Sequence, residues 1–172
     1  MKKSASVKAH KAAAPVSLRV AVLTVSDTRT TDTDTSGALI VRLSEAAGHS
    51  VTGQAQVPDE PTLMRPLLET WRDRADIDVI LITGGTGVSA RDLTIETVSD
   101  LLTKELPGYG ELFRWLSFQE IGPAAMLSRA VGGLMGQTII FVMPGSTAAV
   151  ELAMNKLILP EIGHMSGIVG KK

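Results

Sequence analysis

Residues 78–92, with the sequence DVILITGGTGVSARD, decide the fold of this chain. An apolar run of strand length, 79–83, opens into the loop Gly84-Gly85-Thr86-Gly87 and ends on Arg91 and Asp92, just before a predicted helix. A buried strand that empties into a glycine loop exposes backbone N–H groups at a helix entrance, which favours phosphate binding. The structural alternative is a tight strand-to-helix turn that requires glycine dihedrals.

Two further apolar strands end in polar, turn-forming sequence. Residues 18–25 and 138–143 have the continuous apolar character of strands in a parallel sheet, and they end at Ser26-Asp27 and at Pro144-Gly145-Ser146. Because ligands of open α/β sheets collect outside the carboxyl ends of the strands, parallel strands would bring the three loops to one site. The intervening segments predict helices, so the fold class is α/β with a mainly parallel sheet.

Apolar periodicity predicts which helix faces enter the core. A helix over 35–47, capped by Thr35 or Ser36, would bury Leu39, Leu43, Ala46 and Ala47, and a helix over 61–74 would bury Leu63, Leu67 and Trp71. A helix over 109–121 would be anchored by Leu112, Trp115, Leu116 and Phe118. The last predicted helix, 147–159, is apolar on most of its surface, so it is either deeply buried or at a subunit interface.

Composition limits the class of protein. The 172 residues predict one domain over 18–168, preceded by a basic, Ala- and Ser-rich tail over 1–17 that we expect to be disordered. A formal net charge of −1 argues against binding to nucleic acid or to an acidic membrane. The absence of cysteine excludes disulfides, a thiolate nucleophile and Cys-ligated zinc. No apolar run spans a bilayer, and we expect a cytoplasmic protein.

Two common phosphate motifs do not fit the glycine loop. Residues 85–90 match G-x-G-x-x-A, but no strand-end acidic residue follows about 20 residues later, as a dinucleotide site requires. No lysine follows the glycines, which excludes a P-loop. The three histidines, His10, His49 and His164, form no Ser-His-Asp pattern.

Carboxylates lie at or just after the predicted strand ends, at Asp27, Asp34, Asp59, Glu60 and Asp92. Each alone is typical of a helix cap or a turn. Several of them around an anion-binding loop indicate a divalent ion, because Mg²⁺ is commonly held by one or two carboxylates together with substrate phosphates.

Eight short motifs carry a family resemblance. They are TVSD at 24–27, DTSG at 34–37, GHSV at 48–51, VPDE at 57–60, TGGTG at 83–87, RDLT at 91–94, AMLSR at 125–129 and MPGS at 143–146. In this order and spacing, over residues 18–167, they resemble the MoaB/MogA family of molybdenum cofactor biosynthesis proteins, which is related to the gephyrin G domain. Phe113-Arg114 and residues 160–164 are closer to the MoaB branch.

The resemblance implies a three-layer α/β/α fold and a homo-oligomer, either a trimer or a hexamer built as a dimer of trimers. It implies an adenylyltransferase in which the terminal phosphate of molybdopterin attacks the α-phosphorus of ATP with Mg²⁺ as cofactor, giving adenylylated molybdopterin and pyrophosphate. Other enzymes of the same pathway are implied as partners. The alternative is a molybdopterin- or nucleotide-binding carrier or scaffold without turnover.

The resemblance also implies residue roles. Asp59 and Asp92 match catalytic carboxylates and would hold Mg²⁺. Gly84, Gly85, Thr86 and Gly87 would bind nucleotide phosphates, with Arg91 offsetting their charge. The pterin and nucleotide pockets would be lined by Ser26, Asp27, Asp34, Ser36, Gly37, Ser128, Pro144, Gly145 and Ser146. Thr147 departs from the family pattern, because adenylylating members often carry proline there.

Overall fold

A six-stranded mixed sheet forms the centre of the protein. The computed structural model describes residues 17–170, so the predicted tail lies outside the described residues except for Ser17. The strands are β1 (Arg19–Val25), β2 (Ser50–Val57), β3 (Val79–Thr83), β4 (Lys104–Glu105), β5 (Val131–Met135) and β6 (Thr138–Met143). Their order is β2-β1-β3-β6-β5-β4, and β2, β1, β3 and β6 run parallel. The mainly parallel sheet is confirmed.

Helices connect the strands. They are α1 (Thr35–Ala46), α2 (Pro61–Asp73), α3 (Thr94–Leu101), α4 (Pro107–Ile121), α5 (Thr147–Ala153) and α6 (Leu159–Val169). A 3₁₀ helix, Gly122–Leu127, follows α4, and a π-helical turn, Met154–Ile158, joins α5 to α6. None of the helices within residues 17–170 combines the length and the apolar content needed to cross a lipid bilayer.

The sheet separates two hydrophobic clusters, which gives the three layers. On one face, Ile40 of α1, Phe113 of α4 and Ile162 of α6 pack against the side chains of the central strands. On the other face, Leu68 of α2 and Val98 of α3 cover the alternate side chains of the same strands. Successive side chains of a strand point to opposite faces of the sheet, and helices cover both faces. The side chains of β1, β3 and β6 are therefore buried on both faces.

Two helix faces differ from the prediction. In α1 the buried residues are Ser36, Gly37, Ile40 and Ser44, while Ala46 and Ala47 are exposed. Leu39 and Leu43 are partly buried and pack against the core, so this part of the prediction is confirmed. At Gly37 the helix lies so close to β1 that a Cβ would be 2.4 Å from Thr24 Oγ1. In α2, Met64 and Leu68 are buried with Trp71, and Leu63 is exposed.

Of the four predicted anchors of α4, Leu116 is partly buried and packs against the core, and the other three are wrong. Leu112, Trp115 and Phe118 are exposed, and the helix is held instead by Tyr109 and Phe113. The ring of Tyr109 lies 4.7 Å from that of Phe141, and its hydroxyl donates to the carbonyl of Val142 at 3.3 Å. The apolar character of the last predicted helix is explained by burial. Val150, Met154 and Ile158 lie in the core, and so does Ile162 of α6.

Candidate functional site

The loops that follow β1, β3 and β6 meet at one edge of the sheet. The N–H of Gly84 donates to the carbonyl of Met143 at 3.2 Å, and the hydroxyl of Thr83 donates to the carbonyl of Pro144 at 3.1 Å. The backbone carbonyl of Gly145 accepts from Ser36 Oγ at 2.7 Å and from the Arg29 guanidinium at 2.9 Å. The convergence predicted from three strand ends is therefore present.

The glycine loop leaves no room for side chains at two positions. Gly84 and Gly85 have φ of +99° and +63°, in the region that favours glycine. A Cβ on Gly84 would lie 2.1 Å from the carbonyl oxygen of Val25. A Cβ on Gly85 would lie 2.0 Å from Thr94 Oγ1 and 2.3 Å from Asp59 Oδ2. The glycines are thus required both by the turn and by the close approach of neighbouring polar groups.

Four consecutive backbone N–H groups in this loop have no acceptor. Within residues 17–170, the N–H groups of Gly85, Thr86, Gly87 and Val88 donate no hydrogen bond, whereas those of Gly84 and Ser89 on either side do. Thr86 is buried and Gly85 is partly buried, where an unpaired main-chain donor is uncommon, while Gly87 and Val88 are exposed. A run of free N–H groups is suited to an anion. This run of donors favours the phosphate-binding interpretation of the loop over a purely structural turn.

Asp59 lies beneath this loop and is buried. Its carboxylate accepts from the N–H of Leu93, with both oxygens 3.2 Å from the nitrogen. Burial raises the pKa of Asp59, and the nearby charges of Asp92 and Asp27 raise it further, while the hydrogen bond from Leu93 opposes the rise. A cation bound here would relieve the cost of the buried charge.

Asp92 approaches the same loop from the start of α3. Its Oδ2 accepts from the N–H of Ser89 at 3.0 Å, and a Cβ on Gly87 would lie 2.6 Å from the same oxygen. Asp59 thus lies against Gly85, and Asp92 lies against Gly87, the residues before and after Thr86. The glycine loop and the two carboxylates form a single site.

Arg91 lies at the exposed rim of the site. Its guanidinium donates to Glu60 Oε1 and to Asp27 Oδ2, both at 2.8 Å. The hydrogen bond from Arg91 is the main reason that the pKa of Asp27 lies below its ordinary value, and the Asp59 N–H adds to the effect through a 3.1 Å bond to Asp27 Oδ1. The side chain of Arg91 is 59% exposed, so this cation is accessible to a ligand.

Several residues predicted to line the ligand pockets are tied into the scaffold. Asp34 is buried, accepts from Thr24 Oγ1 at 2.5 Å, and caps α1 by accepting from the N–H of Gly37 at 2.9 Å. The predicted caps at Thr35 and Ser36 are therefore wrong by one or two residues. Ser26 accepts from the N–H of Arg29 at 3.1 Å, and Ser146 caps α5 through the N–H of Ala149 at 3.2 Å.

Two arginines near the site were not predicted to act there. Arg29 joins the loop after β1 to Gly145, and Arg129 joins the loop after β3 to the segment between the 3₁₀ helix and β5. Ser128, beside Arg129, donates its N–H to the carbonyl of Ala125 at 3.0 Å. Arginine has no strand-end or spacing signature; Arg129 is the last residue of the AMLSR motif, and Arg29 follows the TVSD motif by two positions.

The carboxylates fit a magnesium ion that is shared with a ligand. Among the described residues no group of three or more His, Asp or Glu side chains is placed to hold a metal. Two carboxylates beside free N–H donors instead match the habit of Mg²⁺, which takes one or two protein carboxylates and completes its shell with phosphate oxygens and water. Asp59 and Asp92 are the residues that would hold it.

These features define a class, an α/β protein with an anion-binding edge formed by three strand-end loops. The family model described as "Probable molybdopterin binding domain" matches residues 21–164. The chain therefore belongs to this family, which includes the MoaB and MogA proteins.

Individual relatives agree with the family match. Molybdenum cofactor biosynthesis protein B of Halalkalibacterium halodurans is 55% identical over 161 residues, covering 93% of this chain and 95% of the relative. A crystal structure of molybdenum cofactor biosynthesis protein B is 49% identical, with a TM-score of 0.89 and coverage of 92% and 99%. The tungsten cofactor synthesizing protein MoaB from Pyrococcus furiosus is 34% identical, with a TM-score of 0.76 and coverage of 88% and 96%.

Proposed function

We propose that this protein binds molybdopterin and Mg-ATP at the edge formed by the three loops and transfers the adenylyl group of ATP to the terminal phosphate of molybdopterin. The observation that carries the proposal is the run of four free N–H groups at 85–88 beside the carboxylates of Asp59 and Asp92. Such a site supplies donors for phosphate oxygens and ligands for a divalent ion at one place.

The chemistry matches these residue types. The attacking phosphate is already ionised, so the protein needs no strong general base. The difficulty is to hold two polyanions in line, which depends on positioning and on neutralising charge. The loop N–H groups bind and orient nucleotide phosphates, and the guanidinium of Arg91 at the rim of the site neutralises part of their charge. Mg²⁺ held by Asp59 and Asp92 would supply further compensation of phosphate charge.

Asp92→Asn tests the proposal against a matched control. Wild-type protein incubated with molybdopterin, ATP and Mg²⁺ should yield adenylylated pterin and pyrophosphate. Asp92→Asn should lower kcat by about 100-fold or more, because it removes a charge that holds the metal. Asp100→Asn is the control, since Asp100 pairs with Arg65 on the exposed surface, and this variant should keep full activity.

Titration calorimetry distinguishes the enzyme from a binding module. If the wild type binds molybdopterin and ATP but forms no product over hours, the protein is a carrier or scaffold and not an adenylyltransferase. Absence of binding to folded protein would contradict both functions.

The exposed face of α4 supports a homo-oligomer. We define the α4 face as six apolar residues that each expose more than half of their surface: Leu112, Trp115, Phe118, Ile121, Met126 and Leu127. Large apolar side chains exposed this close together in the chain mark a site of interaction with another protein surface. Other copies of the chain would cover it in the trimer, or in the hexamer built as a dimer of trimers.

Solution mass tests the oligomer independently of activity. Sedimentation or light scattering at micromolar concentration should give the mass of a trimer or of a hexamer. A monomer at that concentration would exclude the α4 face as a stable interface between copies and would leave the adenylylation proposal untouched.

A further inference from the structure

Arg129 holds the outer side of the glycine loop. Its Nε donates to the carbonyl of Thr86 at 3.1 Å, and its Nη2 donates to the carbonyls of Gly87 and Asp92 at 2.6 and 3.0 Å. Its remaining nitrogen, Nη1, pairs with Glu96 in the first turn of α3. One guanidinium therefore joins both ends of the segment from Thr86 to Asp92.

Peptide geometry converts these contacts into an orientation for the donors. In a trans peptide the carbonyl of one residue points opposite to the N–H of the next, and the described chain has no cis peptide bond. Carbonyls of Thr86, Gly87 and Asp92 that point toward Arg129 turn the N–H groups of Gly87, Val88 and Leu93 away from it.

The N–H of Leu93 points away from Arg129 and toward Asp59. The peptide between Asp92 and Leu93 accepts from Arg129 with its carbonyl and donates to Asp59 with its N–H, at 3.2 Å. Arg129 and Asp59 thus lie on opposite sides of one peptide plane. The N–H groups of Gly87 and Val88, fixed by the same guanidinium, are two of the four free donors in the loop.

We propose that Arg129 is a positioning residue for phosphate binding, holding the glycine loop so that its free N–H groups face the ligand and the Leu93 N–H faces Asp59. The proposal rests on the proposed function for the identity of the ligand and on geometry alone for the positioning. Arg129 itself donates to backbone and to Glu96, so it acts through the loop and does not touch the reacting groups.

Lysine cannot replace this side chain. Arginine presents five N–H donors in a planar fork, which allows contact with three carbonyls and a carboxylate at once, whereas an ammonium is a compact point charge on a flexible stem. Arg129→Lys keeps the charge and removes the fork. Arg65→Lys is the matched control, because Arg65 pairs with Asp100 on the exposed surface and none of the hydrogen bonds found within residues 17–170 joins Arg65 to the glycine loop.

Amide hydrogen exchange of the ligand-free protein tests the positioning. The N–H groups of Leu93 and Thr94 are bonded to Asp59 and to the carbonyl of Gly85, so they report the loop. In Arg129→Lys these two amides should exchange about tenfold faster, as expected from losing charge-assisted bonds. The amides of β1 should be unchanged in this variant, and all of them should be unchanged in Arg65→Lys.

Calorimetry with Mg-ATP as the probe tests the link to the ligand. Arg129→Lys should weaken the affinity about tenfold, the consequence of donors that are no longer pre-oriented. Faster exchange at Leu93 and Thr94 with unchanged ATP affinity would overturn the proposal, and so would unchanged exchange. If the wild type does not bind ATP, the proposed function fails, and exchange alone decides whether Arg129 positions the loop.

Glu96→Gln keeps the test decisive if Arg129→Lys does not fold. It removes the charge of one partner of Arg129 and leaves the three carbonyl contacts intact. We expect exchange at Leu93 and Thr94 to rise about twofold, less than in Arg129→Lys, because a single exposed ion pair contributes little. Exchange identical to that of the wild type would count against the role of Arg129.

Discussion

The glycine loop and the α4 face are both unusual surfaces, and they are unusual in opposite ways. Around the loop, nearly every polar side chain is already paired within the chain, and the unpaired groups are backbone donors. On the α4 face, the unpaired groups are apolar side chains. A surface that lacks hydrogen-bond acceptors is suited to an anion, and one that lacks apolar contact is suited to another protein surface. The contrast predicts different responses to mutation.

Substitution of Gly85 should have the largest effect. Gly85→Ala combines positive φ with a Cβ placed 2.0 Å from Thr94 Oγ1, and we expect the free energy of unfolding to fall by about 3 kcal/mol. Gly48→Ala is the control, because Gly48 has φ of +86° with no atom within 4 Å of the added Cβ. It should cost about 1 kcal/mol. Equal losses in urea denaturation would show that crowding at the loop is unimportant.

Charge on the α4 face should affect association and leave the fold intact. Trp115→Lys places an ammonium in the apolar face, and we expect the dissociation constant of the oligomer to rise at least about tenfold. The stability of the protomer should change by less than about 0.5 kcal/mol, because the side chain is exposed. Sedimentation over a concentration series measures the first quantity, and an unchanged mass distribution would contradict the interface.

Asp59→Asn should stabilise the protein while impairing the site. The pKa of Asp59 is raised by burial, so its contribution to stability is present at low pH and is lost as pH rises through the folded-state pKa. At pH 7 the amide removes this cost, and we expect Tm to rise by about 2 °C. The gain should vanish toward about pH 3, where the aspartate is protonated in both states. Calorimetric scans at pH 7 and about pH 3 measure the difference, and a lower Tm at pH 7 would contradict it.

Gly145→Ala should have the smallest effect. The added Cβ would lie 3.3 Å from the Cα of Gly84, a contact that small shifts relieve. We expect a loss below about 1 kcal/mol, compared with the larger loss for Gly85→Ala. Urea denaturation midpoints of Gly145→Ala and Gly85→Ala, measured side by side, show which of the two loops tolerates an added methyl group better. A larger loss at Gly145 would mean that the junction between the loops, and not the glycine loop alone, limits stability.

The sequence predicts the parallel half of this fold well because its signals are local. Short, continuous apolar runs such as 79–83 and 138–143 are typical of buried parallel strands. The turn residues after them mark the edge of the sheet where ligands bind. The two-residue strand β4 has no such signal. It pairs with β5 through Lys104 and Glu105, which are exposed and would suit a loop equally well.

Helix faces and long-range contacts are less predictable. Leu112, Trp115 and Phe118 have the spacing of a core face, yet Tyr109 and Phe113 occupy that position in α4. Periodicity shows that a helix has an apolar side, but it does not distinguish a side facing the core from one facing solvent or a partner. The same limit applies to Arg129, whose contacts with the loop cross 37 to 43 positions of sequence.

The two tryptophans lie in opposite environments, which gives the protein a built-in optical assay. Trp71 is 5% exposed on the buried side of α2, and Trp115 is 60% exposed on the α4 face. In a monomer, iodide should therefore quench the emission of Trp115 and leave that of Trp71 shielded. Association through α4 would conceal Trp115 and make both indoles resistant to quenching. Fluorescence of the unlabelled chain can thus follow assembly in real time while ligand is added.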